Sequence, residues 1–98
     1  MIRHLIVFNT PEGVGREQCL SMAERARQEL SRIPGVLHIS FGVAVTENSR
    51  YSYTFVIDLR DESTISSYRQ HPIHIAFADE HFRPLALDRI TTDYEIVY

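Results

Sequence analysis

The order of apolar patterns along the chain is the feature that most limits its fold. Four segments are rich in apolar residues at alternating positions, a period of two that is typical of β-strands. They are residues 2–9, 36–45, 53–59 and 86–98. Residues 16–33 and 62–70 instead show the spacing of three and four that indicates helices. The order βαββαβ predicts an α+β ferredoxin-like fold, in which a four-stranded antiparallel sheet carries helices on one face.

Turn-forming and capping residues set the ends of the predicted helices. The first helix ends at Pro34 and Gly35, since proline lacks a backbone donor and glycine favours a tight turn. Asp61 or Ser63 can cap the second helix, and Pro72 ends it. Residues 73–85 then form one or two brief helical turns. The apolar stripe of the first helix consists of Cys19, Met22, Ala23, Ala26, Leu30 and Ile33.

The second, third and fourth predicted strands have apolar or small residues on both faces. In the second strand, one face is predicted to carry Leu37, Ile39, Phe41, Val43 and Val45. The other face carries the small residues Ser40, Gly42 and Ala44, which leave room for a bulky neighbour. A solvated antiparallel sheet would have one polar face. We therefore expect a second copy of the sheet to cover this face, which predicts a homodimer with twofold symmetry.

Length, charge and cysteine content exclude several classes of protein. With 98 residues the chain is too short for two ordinary domains, so one domain over residues 1–98 is expected. The net charge is −3 and the ten arginines are scattered, which argues against nucleic-acid binding. The single Cys19 cannot form an internal disulfide and is interpreted as a packing residue. With no apparent leader and no apolar run of about 20 residues, we expect a cytoplasmic protein without membrane contact.

Three segments resemble a known family. They are IRHLIVF near the start, IPGV after the first helix, and SYRQHPIHIAFADEHFRPLALDRITTDYEI near the end. The last contains an HPxHxxF stretch followed by FRPL, a combination similar to that of the stress-responsive A/B barrel, or Dabb, domain. The resemblance covers essentially the whole chain. It implies a ferredoxin-like subunit that pairs with a second subunit into a dimeric α/β barrel, with a pocket for a small apolar or aromatic molecule between helices and sheet.

Polyketide cyclases of the olivetolic acid cyclase type belong to the same family and suggest roles for individual residues. Alignment on the HP dipeptide places their catalytic tyrosine on Tyr68, their catalytic histidine on His74 and a first-strand histidine on His4. A pocket tyrosine of the cyclases is replaced here by Ala26. The resemblance thus implies a pocket but argues against the plant substrate.

The residues of this stretch permit both a catalytic and a structural interpretation. His74 could act as general base on a β-keto substrate, and Tyr68 could orient a carbonyl or hold an enolate oxygen. Alternatively, His71 caps the helix end and His74 bonds a backbone carbonyl. In a binding protein, His4, His71, Phe77 and Phe82 would line the pocket. A cofactor-free monooxygenase is a third reading, although no residue singles it out.

Other chemistries have weaker support in the sequence. The histidines and acidic residues between His71 and His81 lie close together, but HPxH without a second ligand pair is a poor zinc motif, so neither metal nor cofactor is expected. Asp58, Asp93 and Glu95 could suggest paired carboxylates. We expect them to be solvated instead or, for Asp58, paired to an arginine. No glycine-rich nucleotide motif or nucleophile elbow is present.

Overall fold

The computed structural model describes all 98 residues, Met1 to Tyr98, and contains four strands and three α-helices. A 3₁₀ turn, Leu30–Arg32, continues the first helix, and a π-helical turn, Ala78–Phe82, follows the third. The elements in chain order are β1 (Ile2–Asn9), α1 (Arg16–Glu29), β2 (Val36–Val43), β3 (Tyr53–Leu59), α2 (Glu62–Gln70), α3 (Pro72–Phe77) and β4 (Leu87–Glu95). No helix is both long and apolar enough to cross a membrane.

The strands form one sheet in the order β2-β3-β1-β4, and all neighbouring strands are antiparallel. This arrangement confirms the predicted ferredoxin-like fold. The two central strands direct alternate side chains toward the helices, and these side chains are buried in the apolar core. We call this side of the sheet the inner face. From β1 it presents Ile2, His4, Ile6 and Phe8.

Helix α1 covers the inner face with the predicted stripe. Cys19, Met22 and Ala26 are buried, and Leu30 and Ile33 continue the stripe through the 3₁₀ turn. Burial raises the pKa of the Cys19 thiol, which agrees with its interpretation as a packing residue. The chain then reverses at Gly35, whose φ of 91° is a left-handed conformation that favours glycine.

Helices α2 and α3 begin at side-chain caps. Asp61 caps α2, since its carboxylate accepts a hydrogen bond of 3.1 Å from the backbone N–H of Thr64. Helix α3 begins at Pro72, where the missing donor costs nothing. The His71 ring caps this helix by accepting a hydrogen bond of 3.1 Å from the backbone N–H of Ile73. The interpretation of His71 as a cap is therefore correct only in part, because its ring caps the start of α3 and not the end of α2.

Two predicted strands differ from the structure. Val36 pairs with Leu59 and His38 pairs with Asp58, so Leu37 is an extra residue in β2. This bulge breaks the alternation, and the prediction that Leu37 shares a face with Ile39 is wrong: its exposed fraction is 57%. Strand β2 also ends at Val43 rather than at residue 45.

The last strand ends earlier than the alternation predicts. Strand β4 stops at Glu95, and the next residue, Ile96, donates its backbone N–H to the carbonyl of Met1 at 3.0 Å. Val97 and Tyr98 lie beyond the pairing and are exposed. Alternation alone could not locate this end, because β1 begins at Ile2 and offers no further residues to pair with.

The opposite side of the sheet, which we call the outer face, carries apolar residues that no helix covers. Ile90 and Tyr94 are 51% and 49% exposed. Leu5, Val7 and Val56 lie on the same face and are half-buried. This face also contains an ion pair, in which Arg3 Nε donates to Asp58 Oδ1 at 2.8 Å. The expected pairing of Asp58 with an arginine is thus confirmed, and its carboxylate is buried instead of solvated.

Candidate functional site

Three rings from three elements meet between the sheet and the helices. Tyr68 on α2 lies between His4 on β1 and His74 on α3. The ring centroids of His4 and Tyr68 are 5.7 Å apart in an edge-to-face arrangement, and those of Tyr68 and His74 are 4.5 Å apart. The structure therefore brings together the three residues that the resemblance to polyketide cyclases singled out.

His4 is held by a carboxylate that the sequence analysis did not assign to the site. His4 Nδ1 lies 2.5 Å from Asp93 Oδ1, and the guanidinium of Arg69 donates to Asp93 Oδ2 at 3.1 Å. With the proton on Nδ1, the ring donates to the carboxylate and its Nε2 has a free lone pair. The expectation that Asp93 is solvated is wrong, because antiparallel pairing places it directly opposite His4 on the inner face.

His74 is oriented by the chain just before it. Its Nδ1 lies 3.0 Å from the carbonyl oxygen of Arg69. A carbonyl only accepts, so Nδ1 carries the proton and Nε2 is the basic nitrogen. Burial lowers the pKa of His74, and the bond to the Arg69 carbonyl opposes that shift without cancelling it. His74 is therefore neutral at pH 7, as a general base must be. The structural interpretation of His74, a bond to a backbone carbonyl, is confirmed, whereas its role as a general base stays a prediction.

Tyr68 is the most enclosed member of the group, with 2% of its surface exposed. Burial raises its pKa well above the usual range, and the negative charge of Asp93 adds to this effect. Tyr68 is thus a neutral phenol under all ordinary conditions. A neutral phenol can donate a hydrogen bond to a carbonyl or enolate oxygen, but it cannot serve as the base.

Two spaces adjoin these rings. A small cavity of about 30 Å³ lies against His4, Tyr68 and His74, and Phe77 and Phe82 form part of its wall. It has room for one water molecule or one substrate oxygen. Next to it, a larger cleft of about 290 Å³ is also lined by His4, His74 and Phe82. A ligand larger than a few atoms would therefore occupy the cleft and reach the small cavity with one group.

The remaining predicted site residues fall into two groups. Phe77 and Phe82 line the small cavity, whereas His71 lines neither space, because its ring faces the backbone of α3. The histidines and acidic residues of residues 71–81 do not converge, and no group of three or more potential metal ligands is present anywhere in the chain. His81 lies near Glu80 on the π-helical turn, away from both spaces.

The fold and the ring cluster define a ferredoxin-like α+β protein with a histidine- and tyrosine-lined site between its sheet and its helices. The profile of the stress responsive A/B barrel domain, Dabb, matches residues 2–96. The chain therefore belongs to the Dabb family, as its resemblance predicted. No curated protein sequence matches it.

Solved structures share the fold across nearly the whole chain. A Dabb family protein from Mesorhizobium loti is 25% identical with a TM-score of 0.82, covering 99% of this chain and 97% of its own. A dimeric ferredoxin-like protein of unknown function from Thermobifida fusca is 24% identical with a TM-score of 0.81, covering 97% and 90%. Hydroxynitrile lyase from Passiflora edulis is 14% identical with a TM-score of 0.83, covering 97% and 92%.

Proposed function

We propose that this Dabb protein is a homodimer that binds a small organic molecule in the cleft beside His4, Tyr68 and His74. The observation that carries this proposal is the convergence of the three rings on a small cavity that adjoins a larger cleft. Ligand sites are typically concave, mostly apolar and furnished with a few convergent polar groups. The cytoplasmic location and the single-domain organisation expected from the sequence stay predictions.

The outer face supports the homodimer. It carries a strip of apolar side chains, including Ile90 and Tyr94, that a single protomer leaves half exposed. A second copy of the same sheet would cover this strip, and a stable interface would bury about 1,200 Å² or more. The Thermobifida fusca protein of the same fold is itself described as dimeric.

Sedimentation equilibrium tests the dimer with a matched pair of variants. Ile90→Arg places a charge on the outer face, whereas Val45→Arg places the same charge on the exposed hairpin between β2 and β3. We expect the wild-type protein and Val45→Arg to be dimers at micromolar concentration and Ile90→Arg to be monomeric or aggregated. A monomeric wild-type protein would contradict the proposal.

A fragment screen read by protein NMR tests the binding site. We expect small apolar and aromatic fragments to shift the resonances of residues around the cleft, and His74→Ala to weaken or abolish these shifts. His38→Ala is the control, because His38 is an exposed residue near the edge of the sheet and lines neither space. If His74→Ala leaves fragment binding unchanged, the assignment of the site is wrong.

A second candidate function is acid–base catalysis on a β-keto or cyanohydrin substrate. Its specific support is the tautomer of the neutral His74 ring. The carbonyl of Arg69 holds the proton on Nδ1 and leaves Nε2 as a base, and the ring of Tyr68 lies beside this histidine. In this candidate His74 removes a proton from substrate and Tyr68 donates a hydrogen bond to the substrate oxygen. A protein of the same fold, from Passiflora edulis, is a hydroxynitrile lyase.

Turnover of a panel of β-keto acids and cyanohydrins tests this candidate. We expect His74→Gln to abolish turnover and Tyr68→Phe to lower kcat by about 10²-fold or more, as loss of one preorganised donor does in other enzymes. Activity retained in His74→Gln would exclude the histidine as base. No residue in the structure favours a monooxygenase over these two functions.

A further inference from the structure

The cleft is lined by basic side chains, although the protein as a whole is negatively charged. Arg69, Arg83 and Arg89 line the cleft together with His4 and His74, and no acidic residue does. The whole chain, in contrast, has 13 acidic and 10 basic side chains. A concave surface lined by charge of one sign concentrates ions of the opposite sign. The ligand of this cleft is therefore expected to carry negative charge.

The three arginines are not equivalent. Arg69 donates to Asp93 at 3.1 Å, and Arg83 is paired with Asp79 one helical turn before it. Arg89 has no carboxylate within ion-pair distance; instead its guanidinium carbon lies 5.9 Å from the centre of the Phe82 ring. A ring face at this distance attracts the cation and limits its motion without neutralising it. Arg89 is thus the cation of the cleft that can bind an anion without giving up an existing partner.

Arg89 also has the right position relative to the three rings. It lies on β4, two residues before Thr91 and four before Asp93, so all three belong to the same face of the strand. Thr91 pairs with Ile6 and Asp93 pairs with His4 across the sheet. A ligand bound at Arg89 would therefore extend along the inner face toward His4 and would pass over Phe82.

We propose that the cleft binds a monocarboxylate with an apolar or aromatic body, and that Arg89 binds the carboxylate. This inference rests on the proposed function, because it specifies the ligand of the same site. One unpaired guanidinium matches one carboxylate through two parallel N–H···O bonds. The body packs against Phe82, and the end remote from the carboxylate reaches the small cavity beside His74 and Tyr68. The volume of about 290 Å³ suits a ligand of the size of a substituted benzoate.

Titration calorimetry with benzoate and benzamide tests the proposal, because the two probes share a shape and differ in charge. We expect the wild-type protein to bind benzoate at least about tenfold more tightly than benzamide, the effect of one charge-assisted contact. Arg89→Gln should abolish this preference, and Arg89→Lys should retain part of it. Arg32→Gln is the matched control, because it removes an exposed arginine in the 3₁₀ turn after α1, outside the cleft.

Each outcome separates the inference from the proposed function. Equal binding of the two probes, or an unchanged preference in Arg89→Gln, overturns the carboxylate inference. The proposed site survives that result if benzamide binding is lost in His74→Ala. If Arg32→Gln removes the preference for benzoate to the same extent, the effect is one of net charge, and the inference is also overturned. Because Arg89 is exposed, its variants should fold, and equal thermal melting of all variants checks this. Binding of neither probe at millimolar concentration contradicts both proposals.

Discussion

Gly35 and Gly13 form a matched pair that tests how closely α2, the helix that carries Tyr68, packs against the turn at Gly35. Both glycines are left-handed, with φ of 91° and 89°. A Cβ on Gly35 would lie 2.4 Å from Cγ2 of Thr64 in the first turn of α2, whereas a Cβ on Gly13 would meet nothing within 4 Å. Alanine at either position incurs backbone strain. Only in Gly35→Ala must the backbone at residue 35 and helix α2 also move apart, because the new Cβ would overlap Thr64.

The size of the difference follows from these two terms. Backbone strain at positive φ costs about 1 to 2 kcal/mol for a residue with a Cβ. Overpacking against a buried side chain adds about 1 to 3 kcal/mol. We therefore expect the free energy of unfolding to fall about 1 to 3 kcal/mol further in Gly35→Ala than in Gly13→Ala, since the strain is common to both. Thr64 is buried, which limits its ability to move aside.

Urea unfolding at one fixed protein concentration measures the difference, because the stability of a dimer depends on concentration. Adding Thr64→Ser to Gly35→Ala removes Cγ2 and keeps the hydroxyl that donates to Asp61 at 3.0 Å. We expect this double variant to recover part of the lost stability. Equal losses in Gly35→Ala and Gly13→Ala, or no recovery in the double variant, would refute the reasoning that Thr64 packs directly on the Gly35 turn.

Three further predictions concern charged groups. Asp93→Ala removes the acceptor of His4 and should lower the free energy of unfolding by about 1.5 to 3 kcal/mol, the range for hydrogen bonds to a charged group, as read from urea unfolding. Burial lowers the pKa of His74, so the folded state resists protonation of this residue. The urea concentration at the midpoint of unfolding should therefore decrease as the pH falls below 6.5 in the wild-type protein, and it should decrease less in His74→Gln. Hydrogen bonds from Ser63 and Thr64 lower the pKa of Asp61 to about 2. The stabilisation by its carboxylate should therefore be present above pH 4 and lost toward pH 2. Asp61→Asn should show no such decrease in stability.

Each of these has an internal control. Glu24→Ala breaks an exposed ion pair with Arg27 and should have a much smaller effect than Asp93→Ala. A comparable loss in both variants would mean that the bond to His4 adds nothing. For His74, a steeper fall in His74→Gln than in the wild-type protein would contradict the sign of the shift. For Asp61, asparagine also caps helices but carries no charge, so Asp61→Asn should be less stable than the wild-type protein at pH 7 and close to it near pH 2.

Much of the fold could be predicted because its signals are local. Strand β1, strand β3 and helix α2 have the predicted bounds, and the buried stripe of α1 is the predicted one. In each case the side-chain period is a property of a few neighbouring residues. Asp61 caps a backbone N–H three residues away, and Pro72 is itself the first residue of α3. The errors, at Leu37 and at the end of β4, lie where a partner strand, not the local pattern, decides the pairing.

The site residues also divide into those that short motifs indicated and one that only the strand pairing revealed. His4, Tyr68 and His74 were found through a resemblance of short motifs, and the structure brings all three together. Asp93 was missed because its role depends on the register between β1 and β4. That register could have been proposed only by pairing the two strands antiparallel and asking which carboxylate then faces His4.

By itself, the sequence determined which segments are strands and helices, their order, and the chemical types available near the HPxHxxF stretch. The tertiary structure alone decided that His4 meets a carboxylate 89 residues away, that His71 faces the backbone, and that Arg89 is left without a partner beside Phe82. The physical reason is the distance along the chain over which each of these effects acts. Periodicity and capping act within one or two turns, whereas charge pairing and cavity shape arise only when distant segments pack together.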